Sequence, residues 1–187
     1  MSIAQNAKAA NPGPLGLLGF GMTTVLLNLH NAGLLPLSIV IVAMGIALGG
    51  LAQIIAGVRE LCQGNTFGGT AFTAYGLFWW SLVLIWVNPF PGIEPASKVA
   101  MGYYLLLWGI FTAFMFVGTL KHNKATQVVF GTLTVLFLLL AIGDFTGNHT
   151  ITMIAGFEGI FCGLSAISSA MGQILNAEFG KKIIPLG

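Results

Sequence analysis

Six stretches of this chain are apolar for about the 20 residues that a helix needs to cross a bilayer. They cover residues 14–30, 37–58, 67–87, 97–120, 126–143 and 150–175. Short polar or turn-forming clusters separate them. Asn31-Ala-Gly33 with Pro36 ends the first, Gln63-Gly-Asn65 the second, and Asn88 to Gly92 the third. Lys121-His-Asn-Lys124 and Gly143 to Asn148 divide the last three. The pattern predicts an all-α integral membrane protein with six transmembrane helices and short loops. It reads as a single domain over 1–187, with a polar N-terminal segment (1–12) and a C-terminal tail (176–187). The opening run has no charged segment leading into an apolar core and a cleavage site, so no removable signal peptide is expected.

Composition agrees with a chain solvated mostly by lipid. Of 187 residues, 56% are hydrophobic and 6% charged, against roughly 45–50% and 25% in a soluble domain. An ordinary soluble enzyme, a disordered chain and a nucleic-acid binder are excluded on this ground. The net charge of +2 forms no basic patch that could track a phosphate backbone. An even number of spans puts both termini on one side. That side receives Lys8, Arg59, Lys121, Lys124, Lys181 and Lys182, and the other only Lys98. The bias of basic residues toward the cytoplasm places both termini there. Cys62 and Cys162 are expected as two free thiols, since disulfides gather in dense secreted frameworks.

Polar side chains inside a span are costly and therefore informative. Phe20, Thr24, Asn28 and Asn31 recur at helical spacing on one face of the first span. That face is either the wall of a polar path or a strip of interhelical hydrogen bonds. Gln53, Gly57 and Glu60 share a face of the second span, with Glu60 expected at the interface. The third span opens with Thr66, Thr70 and Thr73 before Tyr75, whose hydroxyl needs a partner in the membrane. The sixth carries the one acid well inside a span, Glu158, in line with Cys162, Ser165 and Ser169. It is a candidate proton-coupling group, or else a protonated acid bonded to a neighbouring helix or subunit. Trp86 reads as an interfacial anchor, and Trp79, Trp80 and Trp108 as packing. No metal-ligand spacing, nucleophile–base pair, phosphate loop or redox motif appears, so no cofactor, metal or catalytic residue is assigned. Composition and spacing together stop at a path for a small solute with one polar end.

One motif goes further. Asn11-Pro12-Gly13-Pro14-Leu15-Gly16-Leu17, followed by Phe20, resembles the signature of the acetate uptake transporter family. Further segments are similar in order and spacing, among them Gly64 to Gly68, Thr70 to Gly76, Gly118 to Lys121 and Leu133 to Phe137. The resemblance spans essentially the whole chain. It implies a multi-pass protein of the cell membrane, assembled as a homo-hexamer, with a path for acetate, succinate or related small carboxylates in each protomer. It implies a constriction of Phe20, Tyr75 and Leu133, and a role for Leu133 and Ala166 in how large an acid passes. Position 13 departs mildly, with Gly where Ala or Val is usual, and Glu158 is not a standard feature.

A carboxylate near a glutamate in acidity, with a pKa of about 4.3, is anionic at neutral pH. An apolar ring blocks it unless donors replace its water or a proton accompanies it. Thr24, Asn28, Asn31, Thr73 and the Tyr75 hydroxyl are the expected polar contacts. Two other classes fit the same composition: a channel for a neutral solute such as urea or ammonia, and a membrane sensor that transports nothing.

Overall fold

The computed structural model describes residues 9–187, which leaves Lys8 and most of the N-terminal segment outside it. Among the described residues there is no strand. The six helices are α1 (Gly13–Asn31), α2 (Ile39–Cys62), α3 (Thr66–Val87), α4 (Lys98–Thr119), α5 (Lys124–Thr146) and α6 (His149–Glu178). Five of them, α2 to α6, are long and apolar enough to cross a membrane. With 19 residues α1 spans about 28 Å at 1.5 Å per residue, close to the bilayer core. What separates it from the others is polarity. Thr23, Thr24 and Asn28 lie on its buried face, which neighbouring helices rather than lipid must satisfy.

The helix ends follow the local chemistry. Asn65, Ser97, Asn123 and Asn148 cap α3 to α6, each accepting a backbone N–H of the first turn. Gly147 ends α5 in a left-handed conformation, φ +64°, which glycine adopts without steric cost. The turn anticipated between 143 and 148 therefore shrinks to Gly147 and Asn148, because α5 runs on to Thr146. In α2 the stretch Gly45–Ala52 is π-helical. The wider turn is tied down by Gln53, whose Nε2 donates to Gly49 O at 2.7 Å.

α1 packs mainly on α6, α2 on α3, and α5 between α4 and α6. The α1–α6 crossing depends on small residues. A Cβ on Gly21 would lie 2.7 Å from Gly163 O, and one on Gly163 would lie 2.7 Å from Gly21 O. Backbones meet this closely only where side chains are absent. Large apolar side chains on α4, such as Leu107 and Phe114, face outward, as expected of a surface in contact with lipid or another copy.

The first described residues and the C-terminal tail lie at one end of the bundle. Asn11 Nδ2 donates to Gln173 Oε1 on α6 at 3.0 Å, and Gln63 Nε2 to Ala10 O at 3.0 Å. The C-terminal tail docks there too, since Ala125 N donates to Leu186 O and Asn176 bonds the backbone of Ile183 and Ile184. Lys98, His30 and Asp144 gather at the opposite end.

Candidate functional site

Three hollows follow one another through the protomer. At the end holding the termini, a vestibule of about 220 Å³ opens between α1, α2, α3 and α5. Deeper lies a chamber of about 30 Å³, roughly the space one water takes up in the liquid. At the far end is a third cavity of about 240 Å³. Three side chains belong to the walls of both the vestibule and the chamber: Phe20 from α1, Tyr75 from α3 and Leu133 from α5. They stand where the two hollows meet, and all three are buried.

The ring is held from behind by aromatic packing. Tyr75 sits 6.3 Å from Phe20 between ring centroids, 5.5 Å from Phe111 and 6.1 Å from both Trp108 and Phe130. Its hydroxyl points away from the path and donates to Thr112 Oγ1 at 2.9 Å, and Thr112 donates to Trp108 O. The membrane-buried phenol thus finds its partner on α4, and its hydroxyl is already taken.

Beyond the ring the chamber is apolar except for three groups. Asn28 Nδ2 donates to Thr24 O at 2.9 Å, and Asn28 Oδ1 accepts from Asn31 Nδ2 at 3.0 Å. Thr24 Oγ1 and Trp79 Nε1 are buried without a hydrogen-bond partner among the described residues. Both residues line the chamber. Asn31 lines the far cavity, so the Asn28–Asn31 bond links chamber and exit. Asn28 fits because residue 159 is glycine: a Cβ there would overlap the Asn28 carboxamide.

The structure therefore brings Phe20, Tyr75, Leu133, Thr24, Asn28 and Asn31 onto one route. Three anticipated residues stand apart from it. Thr73 is in the α2–α3 contact, where a Cβ on Gly57 would overlap its hydroxyl. Ala166 is fully buried in the core and lines none of these hollows. Glu158 also lines none, and neither of its carboxyl oxygens has a partner among the described residues. Glu60 departs from its anticipated interfacial place. Helix α2 continues to Cys62, which turns Glu60 inward on the vestibule wall, where Asn65 Nδ2 donates to Glu60 Oε2 at 2.7 Å.

Two further residues belong to the path and were not anticipated in it. Gln53 is fully buried on the vestibule wall with Oε1 unpartnered. Its shared face with Glu60 was the available signal. Trp79 lines the chamber with its buried indole N–H unpartnered among the described residues, and a tryptophan between apolar neighbours carries no mark in the sequence that distinguishes this from packing.

The profile of the GPR1/FUN34/yaaH family matches residues 1–184. The chain belongs to that family. Within it, the succinate-acetate/proton symporter SatP of Escherichia coli K12 is 56% identical over 183 residues, covering 97% of each chain. Acetate permease A of Emericella nidulans is 32% identical, covering 96% of this chain and 66% of the permease. A solved structure described as the bacterial acetate channel SatP superposes with a TM-score of 0.94 at 56% identity, covering 96% of this chain and all of that one. As in its relatives, the family fold here is a multi-pass membrane protein, and the three-residue pinch lies inside that fold.

Proposed function

We propose that the chain transports acetate, and that each protomer passes it through the Phe20–Tyr75–Leu133 ring with one proton. This reading rests on the pinch between vestibule and chamber, set in a chain 56% identical to an acetate transporter along nearly its full length. The chamber wall holds no Lys, Arg or His. A bare carboxylate there would lose its water with no cation to replace it, at a cost of several kcal/mol. The neutral acid avoids that cost. Its oxygens can accept from Thr24 Oγ1 and Trp79 Nε1, which lack partners, while its methyl meets Leu133 and Phe20. A chamber this small admits acetate only as ring side chains rotate, so a hydrated ion has no continuous water column to follow.

The end carrying the termini also carries Arg59, Lys121, Lys124, Lys181 and Lys182, and we place it in the cytoplasm by the bias of basic residues. Succinate as a second substrate and assembly as a homo-hexamer are taken from the family resemblance. The deciding experiment is acetate flux into liposomes holding the purified protein, with internal pH recorded under an imposed pH gradient. Proton-tied flux that accumulates acetate supports the reading. Flux that dissipates the acetate gradient without moving protons identifies an anion channel, and no flux refutes transport.

A further inference from the structure

Helix α4 supplies no residue to the wall of the vestibule or of the chamber. It nevertheless holds one of the three side chains that stand between them. Phe20 and Leu133 carry no polar atom, so packing alone places them. Tyr75 packs too, against Phe20, Phe111 and Trp108, but a phenylalanine ring could make those contacts as well. What packing leaves over is the hydroxyl. Inside a membrane protein it must find an acceptor, and leaving it without one is costly.

That acceptor is fixed in advance. Thr112 is fully buried on α4. Its hydroxyl donates to Trp108 O, one turn back along the same helix, at 2.7 Å. A hydroxyl has a single hydrogen, so toward Tyr75 the Thr112 oxygen can only accept. Tyr75 donates to it at 2.9 Å. The relay from Tyr75 through Thr112 to Trp108 O therefore runs in one direction, and each bond strengthens the next. A second hydroxyl contact joins the same two helices elsewhere. The oxygens of Ser81 on α3 and Tyr104 on α4 lie 2.7 Å apart, and neither residue lines the vestibule or the chamber.

We infer that Thr112 is a positioning residue for size selection: by accepting the Tyr75 hydroxyl it ties that side chain to a helix outside the path and limits how far it yields to a longer acid. Thr112 lines none of the three hollows, so it acts through Tyr75 and not on the solute. The inference rests on the acetate reading above.

The test is a ranking of acids in liposomes holding the full chain. Unlabelled propionate and butyrate compete with labelled acetate for wild type, Thr112→Val, Thr112→Ser, Tyr75→Phe, the double variant Thr112→Val, Tyr75→Phe, and Ser81→Ala. A ranking is a ratio, so it does not move when a variant merely folds or inserts less well. Valine keeps the shape of threonine and lacks the hydroxyl. Thr112→Val is expected to shift the ranking toward butyrate about two- to ten-fold, the range that one buried hydrogen bond commands. Tyr75→Phe removes the same bond from the other side and should shift it in the same direction. The double variant should go no further than the larger single shift, because there is one bond to lose. Thr112→Ser keeps the acceptor and should restore the wild-type ranking. Ser81→Ala breaks the other α3–α4 contact and should leave the ranking alone. An unchanged ranking in Thr112→Val, additive shifts in the double variant, or an equal shift in Thr112→Ser or Ser81→Ala would overturn the inference. Should Thr112→Val yield no folded protein, an unchanged ranking in Tyr75→Phe does the same. Wild-type acetate flux in these vesicles tests transport separately. Its absence refutes the acetate reading and this inference with it; flux with rankings that ignore Thr112 and Tyr75 removes Thr112 and leaves acetate transport standing.

Discussion

Replacing Gly159 by alanine adds one methyl group at the point where α6 crosses Asn28. The structure leaves no room for it: the new Cβ would overlap Cγ, Nδ2 and Oδ1 of Asn28, which is 1% exposed and held by two hydrogen bonds. Overpacking of a filled interior costs about 1–3 kcal/mol. Losing the two hydrogen bonds that Asn28 makes within α1 adds about 0.5 kcal/mol each, the lower end for protein hydrogen bonds. Gly159→Ala should therefore destabilise the protein by roughly 2–4 kcal/mol. It should also lower acetate flux, because the displaced Asn28 carboxamide sits in the chamber wall. Asn28→Ala alone loses the bonds without the clash. In the double variant the clash is gone, so the two penalties should not add; the shortfall should be about 2–4 kcal/mol, the overpacking plus the bonds that both single variants lose. Thermal unfolding in detergent and liposome flux read the cycle. Additive penalties in both assays would show that Gly159 and Asn28 are not coupled, and the shape of the chamber would need another explanation.

Three further outcomes are expected. Leu133→Ala should open the ring toward larger monocarboxylates, with each extra substrate methylene that fills the gap gaining about 0.8 kcal/mol, or about four-fold; unlabelled propionate and butyrate competing with labelled acetate measure this, and an unchanged ranking removes Leu133 from size selection. Cys62 is exposed at the end holding the termini, while Cys162 is buried. A membrane-impermeant maleimide should therefore leave intact cells unlabelled and react after permeabilisation, and labelling of intact cells would reverse the assigned orientation. Glu158→Gln should retain proton-tied acetate flux, because Glu158 lines none of the hollows of the path; loss of coupling with flux preserved would return Glu158 to the mechanism.

The six helices were readable because lipid enforces a long apolar stretch for each and because Asn, Ser and Gly mark the ends. The face of α1 was readable for a related reason: Phe20, Thr24, Asn28 and Asn31 share one side at helical spacing, and burying so many polar groups needs a common purpose. Neither signal reaches across helices. Tyr75 was legible as a phenol in need of a partner, but its choice of Thr112 over the path depends on how α3 meets α4. Thr73 shares the threonine-rich start of α3 with residues that face elsewhere, and only the close approach of Gly57 shows that it belongs to the α2–α3 contact. Glu158 gave the loudest signal in the chain, an acid inside an apolar span, and it lies off the route. Polarity in a span marks a residue that must be satisfied somewhere. Whether a solute, another helix or another copy satisfies it is fixed by helix rotation, which a few small residues set. Gly21 against Gly163 and Gly159 against Asn28 are such positions, and they carry as much of the path as the side chains that line it.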